Sequence, residues 1–361
     1  MGTIPKRTKM NRILRFAIIL AALPPGAVLS AQQQVTVRPK VYYSDSSRKG
    51  VPFAKDPSVI KFQGRYLMYY TLPPRTSKNE GKGLLDQTGW SIGIAESRDL
   101  VHWTKAGEVN PAQAVESRGI AAPGARVIRG KVHLFFQTYG GGSKDAICHA
   151  TSSDGIHFTH DPSNPVYRPK PSWWSVGRAI DAEVILLPDK NKAFLYYATR
   201  DHQMNRQMLG LAEASLDSDF GAGAWHDVNI GGPLLEPTEP WEQLCIEAPT
   251  VVKHGEAFYM FYAGAYNNQP QQIGVARSTD GIHWKRMSKH PFLPNGASGS
   301  WNASESGHPG VLQDGDKTYL FYQGNNDHGK TYHLSMVPIL WQGGKPVPDL
   351  SWDKPMKTGG R

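Results

Sequence analysis

Cysteine is almost absent. The 361-residue chain has two, Cys148 and Cys245, and neither belongs to a CxxC pair or a Cys/His spacing of the zinc type. That excludes a disulfide-built scaffold and a thiolate metal centre. Each lies in a strand-like run, where a buried free thiol is the expected state. EF-hand loops and HExxH helices are missing too, so no metal ligand set is predicted. No long segment has the hydrophobic period of a helix, which argues against a helix-built fold.

Long apolar runs are nearly as scarce. One stands out, Phe16 to Leu29, and it follows Lys6, Arg7, Lys9, Arg12 and Arg15. It is short for a bilayer span and broken by Pro24-Pro25. Residues 1–31 therefore read as a secretory signal peptide, cut near Ser30 or Ala31. The expected mature protein is secreted or periplasmic and free of membrane. Loss of five basic and no acidic residues lowers the formal charge from +9 to +4. No Lys/Arg-rich run remains, so a nucleic-acid partner is not expected.

Turn formers and aromatics are plentiful: 37 Gly, 27 Pro and 10% Phe, Trp and Tyr. They recur in five similar segments, beginning at Asp56, Ala122, Asp181, Ala248 and His308, spaced by 59 to 67 residues. Each is a short apolar strand, a polar turn and an aromatic-rich strand, as in APTVVKHGEAFYMFYAG. Three units continue with Ser-x-Asp-x-x-His-(Trp/Phe), at Ser97–Trp103, Ser152–Phe158 and Ser278–Trp284. Asp-Gly between alternating apolar residues signals a further hairpin. Four antiparallel strands per unit, repeated five times, bury their faces by stacking radially around a channel. The predicted fold is all-β, a five-bladed β-propeller of four-stranded antiparallel blades over 32–345, with a tail at 346–361. His102, His157 and His283 occupy one repeat position, which marks them as structural.

Strand polarity then sorts residues by face. The starts of the first strands share a face with the long, polar connections between second and third strands, so that face is the binding face. Asp56, Asp181, Glu247 and His308 converge there. A lone carboxylate normally caps a turn or pairs at the surface. Three acids directed into one concavity favour joint function. Clustered carboxylates push their pKa values apart, giving an acid and a base of the kind glycosidic cleavage uses. Trp90, Trp173, Trp174, Trp241 and Trp301 map to the same face, where indole rings stack on sugar C–H faces while polar neighbours take hydroxyls. At least two of these are expected to seal gaps between blades. Trp90, Trp174, Arg200, Trp301 and His308 are the candidate substrate-binding residues.

KDPSVIKFQGRYLMYYT, IDAEVILL, EAPTVVKHGEAFYMFYAG and GHPG together resemble glycoside hydrolase family 43 and its relatives, propeller glycosidases that include arabinofuranosidases, xylosidases and arabinanases. The resemblance covers nearly the whole mature chain. It implies Asp56 as general base, Asp181 as modulator of the acid, Glu247 as general acid, and His308 at the central position, often near an ion or water. It implies hydrolysis with inversion of a plant or algal oligo- or polysaccharide. No cofactor is required, with room for a structural ion in the central channel. Fructan-cleaving relatives carry a Trp-Met-Asn-Asp-Pro segment that is missing here. Anhydro-galactosidases acting on red-algal oligosaccharides share the fold and the trio, but typically have an N-terminal helical extension for which Gln32–Tyr43 is too short. A non-catalytic glycan-binding propeller is the other alternative.

Overall fold

The computed structural model describes residues 40–75, 89–228 and 231–351. The signal-peptide reading and residues 352–361 of the tail lie outside them. Blade 1 is built from β1 (Lys55–Phe62), β2 (Arg65–Leu72), β3 (Ser91–Ser97) and β4 (Thr104–Val109). Blade 2 has β5 (Ile120–Ile128), β6 (Lys131–Thr138), β7 (Ile147–Ser152) and β8 (Thr159–His160). Blade 3 has β9 (Ile180–Leu187), β10 (Lys192–Arg200), β11 (Gln207–Ser215) and β12 (His226–Asp227). Blade 4 has β13 (Ile246–His254), β14 (Ala257–Gly264), β15 (Gln272–Ser278) and β16 (Lys285–Arg286). Blade 5 has β17 (Glu305–Asp314), β18 (Lys317–Asn325), β19 (His333–Gln342) and β20 (Lys345–Pro348), so its outer strand runs past residue 345. All neighbouring strands pair antiparallel, as the repeat predicts.

Packing explains the ring. Five apolar clusters form, and each is shared by two adjacent blades rather than enclosed in one. Phe135 of blade 2, fully buried, packs with Leu195 and Tyr197 of blade 3. A single blade would leave both faces wet, and cutting Phe135 to Ala should cost about 3–5 kcal/mol. The inner strands β1, β5, β9, β13 and β17 contact one another in that order and close on β1. Closure gains a strap the repeat did not reveal. Tyr43 bridges to Leu334 and Phe53 to Tyr332 in blade 5, while Tyr43 Oη lies 2.8 Å from Tyr70 Oη in blade 1.

The repeated histidines are turn builders. Asp99 Oδ1 accepts the backbone N–H of His102 at 2.8 Å, and its Oδ2 lies 2.7 Å from His102 Nδ1. The same bonds recur at Asp154–His157 and Asp280–His283. Tyr69 and Tyr196 donate to the carbonyls of Gly155 and Gly281, locking two of these turns to the preceding blade. Cys148 and Cys245 are buried free thiols.

Candidate active site

Asp56, Ala122, Asp181, Ala248 and His308 share more than a repeat position. All five adopt left-handed backbone, with φ of +55°, +47°, +56°, +50° and +47°. Such a conformation costs a non-glycine residue about 1 kcal/mol or more. Each coincides with a bulge in the pairing of its inner strand. A bulge breaks the in-out alternation of a strand, so two consecutive residues can face the same side. Blades 1 to 3 thus present a pair to the channel mouth, Lys55-Asp56, Ala121-Ala122 and Ile180-Asp181, while blades 4 and 5 present Glu247 and His308. The preceding blade holds several of the strained N–H groups. Gln323 accepts from Asp56 N, Thr71 from Ala122 N and Gln137 from Asp181 N, at 2.8 to 2.9 Å.

Asp56, Asp181, Glu247 and His308 line one cavity of about 130 Å³, together with Lys55 and Trp90. His308 sits between two acids: its Nδ1 is 3.3 Å from Asp56 Oδ1 and its Nε2 is 3.5 Å from Asp181 Oδ1. Burial alone would lower its pKa, but Asp56, Asp181 and Glu247 push it up to about 9. It is an imidazolium at neutral pH. Burial pushes Asp181 upward, yet the His308 charge and bond, Arg178 and the Ala248 N–H outweigh it and hold this carboxyl below its ordinary value.

Glu247 goes the opposite way. Burial raises its pKa and the nearby Asp181 charge raises it further, against His308, Lys55 and Gln271. Both its oxygens are held by amides: Gln207 Nε2 donates to Oε2, and Gln271 Nε2 donates to Oε1 at 2.6 Å. Gln271 reaches it across Gly307, where a Cβ would fall 1.8 Å from the Gln271 Oε1. Glycine is the only residue that leaves room. Gln207 is fixed in turn by Arg178 Nη1 and Arg200 Nε, 3.0 and 2.7 Å from its Oε1. The cavity therefore holds two carboxyls whose pKa values are pushed in opposite directions, Glu247 up and Asp181 down.

Of the residues singled out from sequence, Arg200 and Trp90 also line this cavity. Trp174 lines a different one, and Trp301 stacks on Tyr322 in the cluster between blades 4 and 5. Trp241 likewise stacks on Tyr262, sealing blade 4. Sequence reasoning missed Lys55, Arg178, Gln207, Tyr139, Tyr266, Asn267 and Gln271. Lys55 carried a signal, since it stands in its blade where Glu247 stands in its own. Further along the inner strands lies a second space of about 40 Å³, lined in part by Arg126 and Glu183. There Arg126 pairs with Glu183 at 3.0 Å, bringing a protein cation to the region where an ion was expected. Among the described residues no group of three or more His, Cys, Asp or Glu side chains is placed to hold a metal.

Solved structures share this fold. A thermostable family-43 glycoside hydrolase superposes with a TM-score of 0.64 at 18% identity, over 85% of this chain and 96% of the other. An endo-1,4-beta-xylanase from Bacteroides thetaiotaomicron gives 0.62 at 17% identity, over 86% and 96%. An alpha-L-arabinofuranosidase from Lactobacillus brevis gives 0.59 at 16% identity, over 87% and 97%. No curated protein matches the sequence. The family model for glycosyl hydrolases family 43 matches residues 48–346, the whole of blades 1 to 4 and nearly all of blade 5. The chain belongs to that family and is a glycoside hydrolase.

Proposed function

We propose that this enzyme is exported and hydrolyses a glycosidic bond of a plant or algal oligo- or polysaccharide, releasing a pentose or related sugar by single displacement with inversion. Asp56, as base, takes a proton from water as the water oxygen bonds to the anomeric carbon. Glu247 gives its proton to the leaving glycosidic oxygen as that bond breaks. Asp181 and His308 set the charge around both, and no cofactor enters the balance. The observation that carries this reading is Glu247 itself, a buried carboxyl raised above its ordinary range in the cavity that also holds Asp56. A raised pKa keeps this carboxyl protonated to higher pH than an ordinary glutamate, which is the direction a general acid needs.

The test is turnover of a panel of aryl pentosides, anhydro-galactosides and polysaccharides by the wild type and by Asp56→Asn. The anomer first released is followed by NMR. Release of the inverted anomer, abolished in the variant, supports the assignment. Retention of configuration, or an Asp56→Asn enzyme with full activity, overturns it.

A further inference from the structure

Trp173 is 76% exposed, the most exposed large apolar residue among those described. It stands on the connection from β8 to β9, beside the half-buried Trp174, at a cavity of about 290 Å³. That cavity is larger than the catalytic one and shares no lining residue with it. Its size is close to the lower bound for small-ligand sites, about 300 Å³.

The lining suits a neutral sugar. The Trp173 ring rests against Gly232, whose added Cβ would meet it at 3.5 Å, and the exposure leaves other parts of the indole to solvent. Ser172 Oγ is buried without a hydrogen-bond partner, an orphaned donor and acceptor at the cavity. Asp227 accepts one bond at each oxygen, from Tyr167 Oη at 2.6 Å and Lys170 N at 3.2 Å, which leaves acceptor capacity for hydroxyls. Lys170 and Asp227 contribute opposite charges, so nothing selects a charged ligand. An aromatic face edged by hydroxyl, carboxylate and ammonium groups is how a sugar ring is recognised.

The segment is also tied to the active site. Ser172 O accepts from His202 Nε2 at 2.7 Å, Val176 N donates to Arg200 O at 2.9 Å, and two residues later Arg178 enters the catalytic cavity. We infer that Trp173, Trp174, Ser172 and Asp227 form a second carbohydrate-binding site on blade 3. It takes a neutral stretch of the polysaccharide remote from the bond that is cut. The site rests on the enzyme being a glycoside hydrolase, not on any role given to the acid trio.

Affinity electrophoresis tests it, using Glu247→Gln as the background on gels containing soluble arabinan, xylan or agar-type galactan. Adding Trp173→Ala should raise the Kd for at least one polymer by about tenfold, and Trp173→Phe should restore part of the affinity. In the otherwise wild-type enzyme, Trp173→Ala should lower kcat/KM on that polymer several-fold and leave aryl glycosides within about twofold. Unchanged binding and unchanged polymer kinetics would overturn the site. So would equal loss on polymer and aryl glycoside, which means a disturbed catalytic pocket. A dimer in sedimentation that becomes monomeric with Trp173→Ala would also overturn it, since the indole would then serve a second copy of this chain. Because binding is read in a Glu247→Gln background, a wrong general acid would not disguise the outcome.

Discussion

Two sets of residues recur from blade to blade, one in three blades and the other in all five, and they have opposite fates. In the turn after the third strand, blades 1, 2 and 4 repeat both the backbone and the side chains: Ser97, Ser152 and Ser278 each accept backbone N–H bonds, and Asp99, Asp154 and Asp280 each bind a histidine three residues on. Those histidines are 79–88% exposed. At the channel mouth all five blades repeat a left-handed backbone, but the side chains are Asp, Ala, Asp, Ala and His. The charged ones are buried to 6–9% exposure. Repetition of a side chain marks a structural job done the same way in every blade that carries it. A strained backbone retained while its side chains diverge marks a site assembled from different parts.

The sharpest break of that comparison is substitution at both places. Asp56→Asn and Glu247→Gln should each lower kcat/KM on a substrate with a poor leaving group by about 10³-fold, the scale of a lost acid or base. His102→Asn should leave it within about twofold. Circular dichroism on all three would confirm that the fold is retained.

His308→Gln is the next step down, at about 10- to 100-fold in kcat, because it removes a cation held between two carboxylates. The imidazole pKa is raised on folding from its ordinary 6.5 to about 9. Its contribution to stability is therefore fully present below about pH 6.5 and lost as pH rises through about 9. The Tm difference between wild type and His308→Gln should shrink from pH 6 to pH 10. A constant difference would remove His308 from the charged centre.

Gln271→Met should have a smaller effect, about tenfold in kcat, with a diagnostic shape. Gln271 holds the Glu247 carboxyl down against burial, so its loss should move the basic limb of the pH–kcat/KM profile to higher pH. A limb that stays in place would assign it to another group. Smallest of all, Asp154→Ala should leave activity unchanged and cost about 1 kcal/mol in urea unfolding through lost turn bonds.

Much of this was legible in the sequence, and the misses have physical causes. The five-fold spacing revealed the blades, because a propeller stacks equivalent units. The convergence of Asp56, Asp181, Glu247 and His308 followed from strand polarity alone. The left-handed bulge was hidden, since no local signal marks Asp56-Pro57 or Asp181-Ala182 as strained. Without it, Lys55 reads as a residue facing away from Asp56. Strand polarity also gives the face of the disc but not the distance from its axis. Trp174 and Trp301 consequently read like Trp90, although only Trp90 lines the catalytic cavity. Gln207 starts β11 and Gln271 stands just before β15, so both meet Glu247 only through packing. The strap of Tyr43 and Phe53 escaped because isolated bridges leave no alternating pattern.

Glu247 as the proton donor is the centre of the proposed mechanism. The most direct measurement is kcat/KM of Glu247→Gln against wild type on two aryl glycosides of one sugar, carrying dinitrophenol and unsubstituted phenol as leaving groups. A general acid predicts a loss of about 10³-fold with phenol and less than about tenfold with dinitrophenol, which departs without help. Equal losses on both would contradict it.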